Sequence, residues 1–288
     1  PILVGKESKI KEQIRNIGYN ENFDIEIINS KDEEKRKKYL KHLFEKLQRD
    51  QGLLERDCDR LLRNDRVIWA TSMVACGDAD GAVTGNTRRF GASLEKIKQV
   101  VDVREGEIMF GLNMVVHKGK TIFIGDTSVH EYPTSEELAE IAISTARVVR
   151  LFGFEPKVAF VSHSTFGQPL TSRTKHIRNA VEILKEKKVE FEFDGDMQPD
   201  VALNSEYEEL YPFAKIVGKA NILIMPGQHS AAISYKLMKT IGDTKVIGPL
   251  LIGLGLPIEI APLRTSTSEI INLASIAAYS SQVIDYKK

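Results

Sequence analysis

The chain has 288 residues, of which 42% are hydrophobic and 28% charged, a composition ordinary for a folded globular protein. Lys plus Arg and Asp plus Glu balance at 40 each, so net charge gives no attraction to nucleic acid or to a membrane surface. No apolar run reaches the ~20 residues of a membrane-spanning helix, and no signal peptide is recognisable. Cys58 and Cys76 have neither a disulfide framework nor metal-knuckle spacing. We therefore expect a cytoplasmic protein that binds no structural metal, no nucleic acid and no membrane.

The first elements are a strand, a second strand and a long charged helix. PILVG (1–5) is typical of the end of a strand, and because the chain starts at Pro1 rather than Met we expect it to begin inside a longer protein. FDIEII (23–28) alternates like a strand. Residues 31–50 carry apolar side chains at helical spacing, which predicts an amphipathic helix rather than a nucleic-acid arm. Residues 61–77 are predicted to form one helix.

From residue 81 onward, strand patterns alternate with helix patterns. The predicted strands are GAVTG (81–85), a hairpin around HKGK within 107–126, KVAFVS (157–162), EFEFDG (190–195), NILIMPG (221–227), KVIGPLLIG (245–253) and PIEIA (257–261). The predicted helices cover 90–103, 134–153, 171–188, 229–242 and 267–283. Thr134 with Glu137 is a capping-box signal, and Gly153 is a helix-ending glycine. Repeated βα units predict an α/β fold with mostly parallel sheets, and two α/β domains that share a cleft suit this length.

Several loops after the predicted strands have a composition typical of ligand sites. Ligands of open α/β sheets bind beyond the carboxyl ends of the strands, at the following loops and helix starts. The loops in question are TGNTRRFG (84–91), SHSTFGQPLTSR (162–173), DGDMQPD (194–200), PGQHSAAISYK (226–236) and PLRTSTSE (262–269). Small residues, hydroxyl groups and arginines at helix starts indicate an anion, and phosphate is the obvious one.

The last of these loops also has an interpretation without a ligand. Ser266 and Glu269 match a capping box, which by itself explains both residues. It leaves Arg264 unexplained, because a cation before the positive end of a helix is unfavourable unless an anion is bound there.

The candidate residues in the other loops also have interpretations that need no ligand. The alternative to ligand binding is a surface salt bridge for Arg88 and Arg89. His163 can instead be a hydrogen-bonding spacer at a strand end, and His229 can instead cap its helix. The sequence has no Walker loop, GxGxxG, HExxH or GxSxG motif that would decide between catalysis and binding. The residues alone therefore predict a phosphate-bearing ligand in an interdomain cleft.

Taken in order, these segments resemble the phosphotransacetylase (phosphate acetyl/butyryltransferase) family over nearly the whole chain. The segments that carry the resemblance are GDADGAVTG (77–85), the block 135–167 ending in SHSTFG, FDGDMQPDVAL (193–203) and GPLLIGLGLPI (248–258). The resemblance implies two α/β/α domains with coenzyme A in the cleft between them. It assigns 1–131 with 257–288 to a first domain truncated at its amino terminus, and 132–256 to an inserted second domain, so that the last helix returns to the first. It also implies a homodimer or higher oligomer formed through the second domain.

The family reaction moves an acetyl group between coenzyme A and phosphate. It requires a base for the thiol, stabilisation of an oxyanion and an arginine for phosphate. The resemblance implies a Ser-Arg pair and a later aspartate at the catalytic end of active members. Here Leu263 precedes Arg264, and Glu269 stands where the aspartate is expected. The loop 226–236 also departs from the family's Thr-Gly-Asn-type turn.

These departures resemble a second branch, the phosphotransacetylase-like domain at the carboxyl end of hybrid-type bacterial malic enzymes. The segments ANILIMPGQHSAAISYKLM (220–238) and NTRRFGASLEKIKQVV (86–101) carry this second resemblance. It implies that acetyl-CoA binds as a regulatory ligand, while a missing amino-terminal part converts malate to pyruvate and CO2 with NADP and a divalent metal. The present sequence has no Rossmann fingerprint and no carboxylate cluster for that chemistry.

Three functions follow as hypotheses. The first is a regulatory and oligomerisation domain that binds acetyl-CoA and has no transfer activity. The second is an active phosphate acetyltransferase with Glu269 as the catalytic base. The third is an assembly domain with a vestigial site. The residues expected to bind acetyl-CoA or phosphate are Arg264, Thr267, Ser268, Ser164, Thr165, Gly167, Arg88, Arg89, Gln228, His229 and Ser230.

Overall fold

The computed structural model describes residues 1–19, 24–29, 32–167, 170–284 and 286. Its helices are α1 (Glu7–Asn16), α2 (Glu33–Gln51), α3 (Glu55–Asn64), α4 (Arg66–Ala75), α5 (Phe90–Lys98), α6 (Ser135–Leu151), α7 (Ser172–Glu186), α8 (Pro199–Leu203), α9 (Gln228–Ile241) and α10 (Thr267–Val283). Its strands are β1 (Ile2–Val4), β2 (Glu26–Ile28), β3 (Ala82–Gly85), β4 (Phe110–His117), β5 (Lys120–Gly125), β6 (Lys157–Val161), β7 (Glu192–Met197), β8 (Ile222–Ile224), β9 (Thr244–Ile252) and β10 (Ile258–Ala261). Over the described residues no helix combines the length and the apolar character needed to cross a bilayer.

The chain forms two compact units. The first comprises Pro1–Asp102, Gly255–Ser266 and Ala274–Lys288, and the second comprises Val103–Leu254 and Thr267–Leu273. Residues 103–131 belong to the second unit. The predicted domain division after residue 131 stays a prediction.

The second unit is built on a six-stranded sheet in the order β7-β6-β8-β5-β4-β9. The pairs from β7 to β5 are parallel, whereas β4 is antiparallel to both β5 and β9. The predicted hairpin is confirmed, and its turn residues Lys118 and Gly119 have φ of 46° and 79°, which is the conformation that a two-residue hairpin turn requires. Since the sheets of both units contain more parallel than antiparallel pairs, the predicted α/β fold with mostly parallel sheets is confirmed.

Helix α6 covers this sheet and begins where the sequence predicts. The Thr134 hydroxyl accepts a hydrogen bond from the Glu137 backbone at 3.1 Å, and the Glu137 carboxylate accepts one from the Thr134 backbone at 2.7 Å. This capping box satisfies two backbone donors that the helix itself leaves unpaired. Ile141 and Val149 of the same helix are fully buried, so the cap fixes the register of a core-facing helix.

The first unit contains two short parallel pairs, β1–β2 and β3–β10. Gly85 and Ala261 are partners at the carboxyl end of the second pair. Gly85 has a φ of 99°, and a Cβ atom there would lie 2.3 Å from the Ala261 carbonyl oxygen. Only glycine therefore allows this approach. Elsewhere in the unit, Tyr39 of α2 and Trp69 of α4 are fully buried and pack edge to face, with ring centroids 5.1 Å apart.

The single helix predicted over 61–77 is wrong. Two helices, α3 and α4, meet at Asp65, which has extended backbone angles and accepts a hydrogen bond from the Val67 backbone at 2.9 Å. The N-cap at Asp65 starts α4 as a separate helix. Because apolar residues continue at helical spacing on both sides of Asp65, the sequence pattern did not indicate the break. Helix α1 was not predicted. The predictions for residues 23, 31, 168 and 169 lie outside the described residues.

Candidate functional site

The carboxyl ends of β3 and β10 lie side by side and lead into the loops that carry three predicted arginines. The Asn86 backbone donates a hydrogen bond to the Ala261 carbonyl at 2.7 Å, which ties the two loops together. Arg88 and Arg89 follow on the β3 side, and Arg264 follows on the β10 side. The first unit therefore brings these arginines to one edge of a parallel pair, where α/β proteins bind ligands.

The three arginines differ in their partners. Arg88 donates from Nη1 to the Asp65 carboxylate at 2.6 Å, as the salt-bridge interpretation predicts. Arg89 and Arg264 are exposed, and their side chains make no hydrogen bond or ion pair with any residue that the structure describes. Arg264 has a φ of 62°, a conformation that a residue with a Cβ atom rarely adopts. It sits in a turn closed by the Thr265 hydroxyl, which donates to the Pro262 carbonyl at 2.6 Å.

In the second unit, the loop after β6 packs on a buried carboxylate. Asp196, fully buried, accepts a hydrogen bond from the Ser164 hydroxyl at 2.5 Å and from Arg178 Nε at 3.0 Å. The Ser162 hydroxyl lies 3.1 Å from that of Ser164. A buried carboxylate needs such partners. The Ser164 hydroxyl therefore donates its proton to Asp196, and binding of acetyl-CoA by Ser164 stays a prediction.

Thr165 and Gly167 stabilise the same loop. The Thr165 hydroxyl accepts a hydrogen bond from the Gln198 backbone at 3.2 Å. Gly167 has a φ of 94°, and a Cβ atom there would lie 1.7 Å from Nη2 of Arg178. The glycine thus makes room for the guanidinium that pairs with Asp196. Arg178 was missed by the sequence analysis because it lies on a helix without a motif, and Asp196 was covered only as part of the loop 194–200.

The loop before α9 holds three further predicted residues. Gln228 donates its backbone N–H to the His130 carbonyl at 3.1 Å, and the Ser230 hydroxyl donates to the Gly227 carbonyl at 2.8 Å. His229 is mostly exposed and forms a pair with the Glu131 carboxylate at 3.0 Å. These contacts tie the loop after β8 to the segment after β5. Because β8 and β6 are parallel neighbours, the loop also lies beside the Ser164 loop.

A second buried carboxylate, Asp126, organises the end of β5. It is 1% exposed, and it accepts backbone hydrogen bonds from Gly111 and Ser128 at 2.8 Å and from His130 at 2.7 Å. Nδ1 of the His130 ring lies 2.8 Å from the same carboxylate. The sequence analysis missed this residue, and the signal available was an aspartate at the end of the predicted hairpin 107–126.

Helix α10 begins at Thr267, as the sequence predicts. Thr267 and Ser268 are exposed, and the Glu269 carboxylate accepts a hydrogen bond from Lys239 Nζ at 2.5 Å. Lys239 lies in the last turn of α9 and was not predicted to contact the site. The capping box of Ser266 with Glu269 stays a prediction. Among the described residues, no three His, Cys, Asp or Glu side chains are grouped so as to hold a metal ion.

Comparison with known sequences gives matches along nearly the whole chain. A family model described as phosphate acetyl/butaryl transferase matches residues 1–278. The NADP-dependent malic enzyme of Rhizobium meliloti is 42% identical over 280 residues, which is 97% of this chain but 37% of that protein. The phosphate acetyltransferase of Clostridium acetobutylicum is 32% identical over 294 residues, which covers 98% of this chain and 86% of that protein. The chain thus spans little more than a third of the length of the malic enzymes it matches.

Solved structures give the same result for the fold. The EutD phosphotransacetylase from Staphylococcus aureus superposes with a TM-score of 0.85 at 28% sequence identity, covering 98% of this chain and 86% of that one. A phosphotransacetylase from Streptococcus pyogenes superposes with a TM-score of 0.88 at 26% identity, with the same coverage.

Proposed function

Because the chain belongs to the phosphate acetyl/butaryl transferase family, we propose that it binds acetyl-CoA as the regulatory and oligomerisation part of a malic enzyme and transfers no acetyl group. Its family membership confirms the resemblance predicted from the sequence. The observation that carries the proposal comes from the segment 263–269. Arg264 is available there for an anion, whereas Leu263 stands in place of the implied serine and Glu269 is paired with Lys239.

Arg264 supports the binding half of the proposal. Its guanidinium is exposed and makes no ion pair with the described residues, and its backbone occupies the left-handed region. That region costs a residue with a Cβ atom about 1–2 kcal/mol, and such strain is a reason to look for function. A guanidinium presents paired N–H donors that match a phosphate or carboxylate. The phosphates of acetyl-CoA are acceptors of this kind.

Leu263 and Glu269 support the absence of transfer. Leu263 is 51% exposed and offers an alkyl group where the resemblance implies a serine hydroxyl. Glu269 is paired with Lys239, so a base at this position would have to give up that ion pair before it accepted the proton of a thiol.

The similarity to malic enzymes supports the regulatory half. In the proposal, the oxidative decarboxylation of malate, with NADP and a divalent metal, takes place in the part of such an enzyme that this chain does not span. Acetyl-CoA acts as a regulator only if it binds one state of the whole enzyme more tightly than another. The proposal places this enzyme in the cytoplasm as a homodimer or a larger oligomer.

The second candidate function is an active phosphate acetyltransferase. Two observations favour it: the 86% coverage of the Clostridium acetobutylicum enzyme, and a carboxylate at Glu269 in the first turn of α10. In that case Glu269 is the base, while Arg264 and Arg89 hold phosphate.

Calorimetric titration of the purified chain with acetyl-CoA, combined with an assay of acetyl phosphate formation from acetyl-CoA and phosphate, tests both functions. We expect binding without turnover, and we expect Arg264→Ala to weaken binding about 10- to 100-fold, the effect of a hydrogen bond to a charged group. Arg56→Ala, at another exposed arginine of the first unit, is the control and should bind as the parent does. Turnover that Glu269→Gln abolishes would establish the acetyltransferase instead. If acetyl-CoA neither binds nor raises the melting temperature, the assembly function is favoured.

A further inference from the structure

An open pocket lies at the β7 edge of the six-stranded sheet, and all of its lining residues belong to the second unit. Its volume is about 350 Å³, which falls within the range of about 300–1,000 Å³ for small-molecule sites. Strand β7 forms one wall, a face of α7 forms another, and the segment around Phe213 and Lys215 closes the third. None of these side chains is among the residues predicted to bind acetyl-CoA.

The rim of this pocket carries an aromatic cluster. Phe166 and Phe213 have ring centroids 4.9 Å apart at an interplanar angle of 66°, and Tyr211 packs on Phe166 at 5.5 Å. Phe213 is nevertheless 68% exposed. The ring thus contacts Phe166 and Tyr211, lines the pocket and stays accessible to solvent. An aromatic ring fixed in this way is a platform on which a planar ligand group can stack.

The charged side chains that line the pocket are Arg178, Lys185 and Lys215 together with Glu182 and Asp194. Glu182 is paired with Lys185 at 2.8 Å, and the two oxygens of Asp194 accept the backbone N–H groups of Gly195 and Lys215, each at 2.9 Å. All of the carboxylates in the pocket therefore have partners.

Two cations keep unused donors. Arg178 uses Nε for Asp196, while its two terminal nitrogens make no hydrogen bond with the residues that the structure covers. The Lys215 ammonium group is exposed and likewise has no partner among them. A ligand that fits both features has a flat ring for Phe213 and an anion for these two cations.

We propose that this pocket binds a nucleotide, with its base stacked on Phe213 and its phosphate at Lys215 and Arg178. A free nucleotide and the nucleotide end of coenzyme A share this chemistry, and the experiment below separates them. Binding of a free nucleotide does not depend on the proposed acetyl-CoA function, because it uses different side chains, whereas binding of the nucleotide end of coenzyme A rests on that function.

Titration calorimetry of the purified chain with AMP is the first test. Adenosine and ribose 5-phosphate each carry half of the recognised groups, and both should bind at least tenfold more weakly than AMP. Lys215→Glu and Phe213→Ala should each lower the affinity for AMP about tenfold or more. Lys245→Glu, at an exposed lysine on the opposite edge strand β9, and Leu210→Ala, at an apolar side chain that is 64% exposed, are the matched controls and should leave the affinity unchanged.

Competition between AMP and acetyl-CoA distinguishes a free nucleotide from the nucleotide end of coenzyme A. If AMP binds equally well in the presence of acetyl-CoA and in Arg264→Ala, the pocket takes a free nucleotide. If acetyl-CoA displaces AMP and Lys215→Glu weakens both, the pocket holds the nucleotide end of coenzyme A. Absence of AMP binding at millimolar concentration, or equal binding by Lys215→Glu, would overturn the proposal. A changed oligomeric state of Phe213→Ala with unchanged AMP affinity would also overturn it, because the ring would then be a protein contact.

Discussion

Replacing Gly167 with alanine is expected to destabilise the second unit by more than backbone strain alone. The new Cβ atom would lie 1.7 Å from Nη2 and 2.6 Å from Nη1 of Arg178. Atoms cannot approach so closely, so the guanidinium must move. It is the group that donates to the buried Asp196 carboxylate at 3.0 Å, and the substitution therefore disturbs a buried ion pair as well as a turn.

The magnitude has two parts. Alanine at a φ of 94° costs about 1–2 kcal/mol of backbone strain. Removing one partner of a buried ion pair costs about 3–5 kcal/mol. The second figure needs a discount, because the Arg178 side chain is 38% exposed and can rotate while water replaces part of the contact. We expect a total loss of about 3–5 kcal/mol in the free energy of unfolding.

Urea denaturation followed by circular dichroism measures this loss, and a second glycine supplies the control. Gly153 lies in the same unit with a φ of 83°, and a Cβ atom there would meet nothing within 4 Å. Gly153→Ala should therefore cost only the strain, about 1–2 kcal/mol. In a chain that already carries Arg178→Ala, Gly167→Ala should lower the free energy of unfolding by the same amount, about 1–2 kcal/mol, because no guanidinium is left to displace. If Gly167→Ala and Gly153→Ala cost the same in the parent chain, the displacement of Arg178 is refuted.

Two further predictions concern the first unit. Tyr39→Phe removes a hydroxyl that donates a hydrogen bond to Asp78 at 2.6 Å. Burial is the main cause of the raised pKa of Tyr39, and this hydrogen bond is the second. We expect the free energy of unfolding, measured by urea denaturation, to fall by about 1.5–3 kcal/mol, and an unchanged midpoint would contradict a stabilising role of the bond. Hydrogen bonds from Arg49 and then Lys46 lower the pKa of Asp50 from 3.8 to about 2. A lowered carboxyl pKa contributes stability that is fully present above the unfolded value and is lost as the pH falls towards the folded value. The stability difference between the parent chain and Asp50→Asn should therefore shrink from pH 4 towards pH 2, and a difference that widens over this range would count against the assignment.

Local signals in the sequence predicted most of the fold. The start of α6 was predictable because its capping box spans only four residues, 134–137. The break at Asp65 was not, because α3 and α4 are both helical and a helix-to-helix turn leaves the apolar pattern nearly continuous. Helix α1 escaped prediction because its apolar side is short: it consists of Ile10 and Ile14, which are only partly buried in a helix of otherwise polar residues.

The candidate site was predictable to the extent that its residues follow strands. The arginines at 88, 89 and 264 were found in this way. The groups that decide what these loops do were missed, because their partners are distant along the chain: Lys239 is 30 residues from Glu269, and Arg178 is 18 residues from Asp196. A spacing of this kind depends on how the sheet is assembled, which no local pattern encodes.

The burial of Trp69 against Tyr39 gives the chain a built-in optical reporter. Trp69 is its sole tryptophan, it has no solvent exposure, and its indole N–H makes no hydrogen bond with the residues described. Tryptophan emission therefore follows the first unit alone, whereas circular dichroism sums over the whole chain. If both signals change at the same urea concentration, the two units unfold together. If the tryptophan signal changes separately, each unit has a stability of its own, and a ligand of either unit can be assigned by which transition it moves.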